Sequence, residues 1–326
     1  MPSLDVVVVN WNGGPRLRDC VASVCAVRDH RFELRQVVVV DNGSCDGSAE
    51  GLESCGPVVE IIRHGRNLGF AVACNRGAAG STADFLLFLN PDTRVTPDAL
   101  ARPIQFLTSP SAQDVGIAGI RLVDDEGLTG RTCARFPTPR MFVSLMLGLN
   151  RLAPRRWPSH VMSEWDHQDT RAVDHVMGAF YVVRRPLFLT LRGFDERFFM
   201  YLEDLDFSRR AALCGWRTMF VADAAAYHQG GGTSRAVKAR RLSYALHSRI
   251  LYGYKHFPWW SATGLALGTL CVEPLIRVTN AISRLDAREV TNVVRGVAWL
   301  WGRVIGDLWR WSSIGARARH GWTQMG

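Results

Sequence analysis

Leu86-Leu87-Phe88-Leu89-Asn90-Pro91-Asp92 is the stretch on which the reading of this chain turns. Four consecutive apolar residues predict a strand buried on both faces. A carboxylate, Asp92, stands just beyond its end. In open parallel sheets ligands bind at the carboxyl ends of the strands. A carboxylate there is placed to hold a divalent cation against a diphosphate. Asn-Pro-Asp is also ordinary turn chemistry, so the stretch by itself leaves both readings open.

Working outward, the same pattern repeats. Leu4 to Val9, Val37 to Val40 and Val58 to Ile62 are short Val- and Ile-rich runs, each ending in a polar turn. Helical stretches are expected near residues 16–27, 47–54 and 70–79. Valine-rich strands alternating with helices predict βαβ units and a parallel sheet flanked by helices, an α/β fold. After Val123 the pattern changes. Residues 131–169 are rich in Pro, Arg and Trp without a clean period, and read as a long, partly mobile segment over the active face. Strand character returns over 173–183, Pro186 opens a short helix, 203–214 reads as a helix stopped by Gly215, and 218–221 as a last strand before Tyr227-His228. No internal repeat is found.

The 326 residues suffice for one large α/β domain and an appendage, and the net charge of +9 suits an anionic partner. The eight cysteines form no CxxC pair, which predicts reduced thiols in a cytosolic protein. The chain enters a strand pattern at once, with no basic segment followed by an apolar one, so no export signal is expected. No acid occurs between Asp223 and Glu273, while Arg235, Lys238, Arg240, Arg241, Arg249 and Lys255 do. Residues 257–276 are nearly apolar, with Trp259 and Trp260 at one end. Glu273 and several small polar residues favour a segment lying in a membrane interface over one that spans. Residues 292–311 place Val293, Val297, Leu300, Trp301, Val304 and Leu308 at helical spacing, the pattern of an amphipathic interfacial helix. Packing of that helix on the catalytic domain, or a homodimer through it, is the alternative. The basic residues cluster with tryptophans in an apolar tail, which fits anionic lipid and not nucleic acid.

Individual residues carry the candidate chemistry. Asp41, at the end of the second strand, is able to accept the N–H of a pyrimidine ring, although an Asx-type turn also explains Asp41-Asn42-Gly43-Ser44. Asn67 is a candidate helix cap whose neighbouring free N–H groups face a phosphate. Asn75, inside the same helix and unfavourable there, is expected to face a ligand. Asp92 and His228 are the candidate ligands of Mg2+ or Mn2+. Glu203, Asp204 and Asp206 follow the apolar run at 198–202 and fall in the first turns of a helix, where its dipole favours anions. Like charges so close raise at least one pKa, which suits a general base for an acceptor hydroxyl.

Taken together, Val6-Val7-Val8-Val9-Asn10-Trp11-Asn12, Val39-Val40-Asp41-Asn42-Gly43-Ser44, Asn67-Leu68-Gly69-Phe70 and Phe88-Leu89-Asn90-Pro91-Asp92 resemble family 2 glycosyltransferases of the GT-A fold, in particular the rhamnosyltransferase-like branch. Gly178-Ala179-Phe180, Gly193-Phe194-Asp195-Glu196, Tyr201-Leu202-Glu203-Asp204 and His228 extend the match, which covers roughly residues 3–232. The resemblance implies a Rossmann-like catalytic domain over 1–232, with a nucleotide-sugar half to about 125 and an acceptor half from 126. A basic, Trp-rich helical extension over 233–326 would associate with the membrane. It implies inverting transfer from a nucleotide sugar bound by Asn10, Asn12, Asp41, Asn67, Asn75, Asn90, Asp92 and Gly178. Asp92 is then the surviving acid of the family's DxD motif, with Asn90 where an Asp is often found. Asp204 is the implied catalytic base, with Glu203 supporting it or touching the acceptor. The branch implies dTDP-L-rhamnose as donor, with UDP- and GDP-sugars open, and a polyprenyl-diphosphate-linked saccharide as acceptor. The competing readings are a nucleotidyltransferase, for which Asn10 to Arg16 supplies only part of the required loop, and a non-catalytic membrane-bound nucleotide- or glycan-binding module.

Overall fold

A computed structural model describes residues 1–56, 58–230 and 237–320, with the side chains of the last helix described as far as Asp307. In chain order the first half comprises β1 (Ser3–Asn10), α1 (Pro15–Cys25), β2 (Glu33–Asp41), β3 (Val59–Arg63), α2 (Phe70–Ala78), β4 (Phe85–Leu89), β5 (Thr93–Arg94), α3 (Pro97–Thr108) and β6 (Val115–Val123). There follow β7 (Cys133–Ala134), α4 (Pro139–Leu147), α5 (Leu149–Leu152), β8 (Arg171–Val173), β9 (His175–Val176), β10 (Phe180–Arg184), α6 (Arg185–Thr190), α7 (Glu203–Leu213) and β11 (Arg217–His228). Four helices end the chain: α8 (Lys238–His256), α9 (Trp259–Leu267), α10 (Glu273–Ser283) and α11 (Ala287–His320).

The main sheet runs β3-β2-β1-β4-β10-β6-β11-β5, with β8 on β11. β1 pairs in parallel with β2 and β4, and β6 with β11; β10 runs antiparallel between β4 and β6. Because successive side chains of a strand point to opposite faces, β1 supplies both cores. Val6 and Val8 pack with α1 and α3 through Leu17, Val21, Leu100 and Ile104. Val7 and Val9 pack with α2, α6 and α7 through Ala73, Leu187 and Phe207. α2 lies so close to the sheet that a Cβ at Gly77 would meet Val7 at 2.5 Å and Val40 at 2.9 Å. α3 and α4 start where Thr96 and Thr138 accept the N–H of Ala99 and Met141.

The helix expected over 47–54 is a turn followed by a single 3-10 turn at Leu52–Cys55, because Gly47 and Gly51 take positive φ and break the first turn. The last strand, expected over 218–221, runs to His228. The Pro- and Arg-rich stretch holds β7, α4 and α5, with β7 paired to β9 beyond it, and buries Cys133, Phe142 and Trp165. All eight cysteines are free.

α8 is bound to α7 and the loop before it. Ser248 donates to the Met200 carbonyl, and Arg209 donates to the Tyr252 hydroxyl. Lys255 and His256 both reach Asp206. Tyr252 and Leu265 pack with Phe142, Phe198 and Leu205, while Leu246 and Ile250 pack with Ala266 and Leu300. Part of the apolar stripe on α11 turns inward: Val293 and Leu300 are buried and Val297 and Val304 partly so, whereas Trp301 stays 43% exposed. For the buried members this corrects the expectation of a lipid-facing stripe, since they cover an apolar face of α8. Leu308 of that stripe, the glycines 231–232 and the expected boundary at 232/233 lie outside the described residues or side chains. A π-helical turn at 268–272 joins α9 and α10 into one rod, Trp259–Ser283, long and apolar enough to cross a membrane. Its one acid, Glu273, is buried in an ion pair with Arg249 (2.6 Å) and Arg277 (2.7 Å), so protein and not water neutralises it.

Candidate active site

A cleft of about 480 Å3 opens at the carboxyl ends of β1 and β4, lined by Trp11, Asn67, Asn90, Asp92, Gly178, Glu203, Asp204 and His228. Asp92 and His228 meet because of strand pairing. Thr93, next to Asp92, pairs with His228 across the β5–β11 ladder. The carboxylate Oδ1 stands 3.3 Å from His228 Nε2, and Asn90 Nδ2 stands 3.5 Å from the same nitrogen. Among the described residues no set of three or more His, Cys, Asp and Glu converges on a metal position. The donor set fits a hard divalent cation that takes its other ligands from substrate phosphate and water.

The backbone of β10's leading edge connects this corner to Asp204. Asn90 donates its N–H to the Ala179 carbonyl (3.0 Å), and the preceding Gly178 donates its N–H to Asp204 Oδ2 (2.7 Å). Asp204 Oδ1 accepts the Leu205 N–H at 2.8 Å. α7 enters through two successive residues in the left-handed region, Tyr201 (φ 71°) and Leu202 (φ 66°). Non-glycine residues hold such angles at a cost and persist there only when surrounding structure enforces them. The result aims Glu203 and Asp204 into the cleft.

The three acids of α7 have separate fates. Asp206 is fully buried and accepts from Arg210, Lys255 and His256. It locks α8 to α7. Burial pushes the Glu203 carboxyl well above its ordinary value, and the charges of Asp204 and Asp206 add to the effect. Glu203 Oε2 has no hydrogen-bond partner among the described residues. Burial acts on Asp204 in the same direction, but the His175 ring and the N–H groups of Gly178 and Leu205 outweigh it and hold Asp204 below the usual carboxylate range. A neutral Glu203 beside an ionised Asp204 is the arrangement that separates a proton acceptor from its neighbour.

Sequence reasoning missed His175. It is buried, with Nε2 3.5 Å from Asp204 Oδ2 and Nδ1 2.9 Å from the Ser208 hydroxyl, which in turn meets Tyr181 at 2.8 Å. The only available signal was a histidine three residues before Gly178. Arg16, read only within an incomplete nucleotidyltransferase loop, and Arg241, read only as general charge, also line the cleft. Asn42 was quoted for its turn, yet it joins the donor elements: it donates to Asn67 Oδ1 and the Gly69 carbonyl and accepts the Leu68 N–H.

The other expected residues are placed differently. Asn10 is buried; its amide donates to Asp41, Ser44 and Ser48, and its carbonyl oxygen accepts the Gly13 N–H. Asn12 accepts the Cys45 N–H. Asn10, Asn12 and Asp41 thus build the turn beside the cleft and are not among its lining residues. Asn67 caps no helix, because Gly69 takes the N-cap position; its oxygen accepts the Gly69 N–H. Asn75 corrects the expectation of a ligand-facing side chain. Its amide clasps Phe194 from both sides, accepting the N–H at 2.8 Å and donating to the carbonyl at 2.9 Å, and it is absent from the cleft lining. The clasp satisfies loop backbone that no ladder reaches, which offsets the poor helix propensity of Asn.

The family model for glycosyl transferase family 2 matches residues 5–188. The chain belongs to glycosyl transferase family 2. This family 2 chain is 28% identical over 308 residues to an N-acetylglucosaminyl-diphospho-decaprenol L-rhamnosyltransferase of Mycobacterium tuberculosis, covering 88% of this chain and 96% of that protein. It is 31% identical over 172 residues to the rhamnosyltransferase WbbL of Escherichia coli, covering 52% of this chain and 61% of that protein. The rhamnosyltransferase-like branch read from the motifs is therefore upheld. Among solved structures, a mannosyltransferase from Pyrobaculum calidifontis in complex with GDP-Man and Mn2+ aligns with TM-score 0.53 at 17% identity, over 95% of this chain and 88% of that one. Staphylococcus aureus TarS 1–349 in complex with UDP-GlcNAc aligns with TM-score 0.52 at 17% identity, over 91% and 79%. Both likenesses establish the glycosyltransferase fold.

Proposed function

We propose that this protein is an inverting glycosyltransferase that moves L-rhamnose from dTDP-L-rhamnose to a hydroxyl of a polyprenyl-diphosphate-linked saccharide in cell-envelope polysaccharide synthesis. The observation that carries the reading is the convergence of the Asp92–His228 pair and the Glu203–Asp204 pair on one cleft. The names of the two relatives support the sugar, and that of the mycobacterial one supports the lipid diphosphate.

Ionised Asp204 accepts the proton of the acceptor hydroxyl as its oxygen attacks the anomeric carbon. The bond to the nucleoside diphosphate breaks on the opposite face and its electron pair leaves with the diphosphate. The N–H groups of Gly178 and Leu205 fix the carboxylate for that transfer. Neutral Glu203 keeps a second negative charge away from the base. Asp92 and His228 would hold Mg2+ or Mn2+, which neutralises charge on the departing diphosphate. Asn67, which lines the cleft, is assigned to the phosphate side of the nucleotide. The proposal sets the reaction at the inner face of the plasma membrane. The exposed Trp259 and Trp260 and the apolar rod behind them support that siting.

The test is a thermal-shift series with dTDP, UDP and GDP, each with and without Mn2+, followed by a transfer assay. A ligand of the folded state raises Tm by mass action. Asp204→Asn should lower transfer by about 10²- to 10⁴-fold, the scale of general-base catalysis, while keeping the nucleotide shift. Near-wild-type turnover in that variant refutes the base. Release of pyrophosphate in place of nucleoside diphosphate, or nucleotide binding without donor turnover, refutes the activity.

A further inference from the structure

A second and larger recess, about 990 Å3, lies between α8, α11 and the loop at 196–199, outside the cleft described above. Its charges are unequally committed. Of its acids, Glu196 is held by Asn75 and Asp307 by His247. Arg197 is paired with Asp195. Arg240 and Arg303 bond to no carboxylate among the described residues. Arg240 lies over the Trp299 ring at 5.6 Å, and Arg303 over the Tyr244 ring at 4.3 Å, itself stacked on Phe199 at 4.4 Å. Aromatic faces thus orient two guanidinium groups without neutralising them. Ser243 also lines the recess; it is 1% exposed, and its hydroxyl oxygen has no hydrogen-bond partner among the described residues. A buried hydroxyl without a partner is costly unless a ligand satisfies it.

We propose that this groove binds the diphosphate of the lipid-linked acceptor, with Arg240 and Arg303 as its cations and Ser243 as a hydroxyl donor. The inference rests on the proposed acceptor class. Guanidinium groups match phosphate oxygens in geometry as well as charge. Position selects a substrate diphosphate over a phospholipid headgroup. Phe199 lines the groove, and Met200, Tyr201, Leu202, Glu203 and Asp204, the residues that follow, line the cleft. An anion held here sits one loop from the base, where the sugar it carries must arrive.

The test is calorimetric titration of farnesyl diphosphate into the full chain, with the donor cleft saturated by dTDP and Mn2+. Binding should weaken by about tenfold or more in the Arg240→Gln/Arg303→Gln variant, the consequence of losing charge-assisted hydrogen bonds. Ser243→Ala, which removes no charge, should give a smaller loss. In transfer assays the double variant should raise KM for the lipid-linked acceptor and leave kcat nearly unchanged. An unchanged dTDP-induced thermal shift shows that the variant is folded. Equal farnesyl diphosphate affinity in wild type and the double variant overturns the groove. Loss of binding to phosphatidylglycerol vesicles alone, with farnesyl diphosphate unaffected, also overturns it and marks a headgroup site. If the wild-type protein transfers no sugar, the acceptor reading fails, while the titration still decides whether the groove takes a diphosphate.

Discussion

Gly178→Ala reaches the catalytic step without altering any ionisable group. A Cβ at this position would stand 2.9 Å from Asp204 Oδ2 and 3.5 Å from its Cγ. An ordinary contact begins near 3.4 Å, so the carboxylate must retreat by about half an ångström. It has little freedom to do so, because Oδ2 accepts from Gly178 itself and Oδ1 from Leu205. Misplacement of a reacting group by about 1 Å costs on the order of 10²-fold in rate, and half of that displacement about tenfold, or roughly 1.4 kcal/mol of barrier. Gly178 does not take positive φ, so alanine brings no backbone strain, and stability should change by less than about 1 kcal/mol. The assay is kcat for transfer at saturating donor and acceptor, with the dTDP-induced thermal shift as a control for the donor site. The expected result is a kcat loss of about 10- to 100-fold with the shift retained. A variant with wild-type kcat would refute the claim that the close approach of Gly178 to Asp204 sets the position of the base.

Three further outcomes follow from the geometry. Glu203 has its folded pKa raised, so the native state keeps a proton that the unfolded chain loses as pH climbs past 4.5, and stability falls through that window. Glu203→Gln should therefore melt higher than wild type at neutral pH and match it below the ordinary glutamate value; a Tm difference that does not vary with pH would contradict this. Asn75→Ala should lower stability by about 1–3 kcal/mol by orphaning the Phe194 backbone, with nucleotide affinity kept; chemical denaturation beside a nucleotide titration separates this from a ligand-binding role. His228→Ala should remove most of the Mn2+-dependent part of the nucleotide thermal shift and leave the metal-free part; an intact metal increment would discard His228 as a ligand.

Much of the donor half was legible in local pattern. The Val- and Leu-rich runs had to be strands buried on both faces, and their alternation with helices left a parallel sheet as the way to bury them. The signal failed where glycine interrupted it, at 47–54, and where polar residues serve backbone that only the fold brings near. Asn75 was singled out for its poor helix propensity, and that signal was real, but the partner it serves is a loop more than a hundred residues away. His175 carried almost no local signal, because its importance lies in the Asp204 oxygen opposite it.

By itself the sequence determined the element types, the turn at each strand end and the residue classes able to grip a cation or accept a proton. These are properties of short spans, governed by side-chain period and turn chemistry. Tertiary structure decided which of those residues share a cleft. The β5–β11 ladder brings His228 to Asp92, the Gly178 N–H locks Asp204 beside them, and Lys255 and His256 remove Asp206 from the reaction by binding it. It also decided that part of the apolar stripe of the last helix covers α8. Such pairings join residues far apart in the chain, and sequence spacing carries no record of the strand register or helix packing that closes the distance.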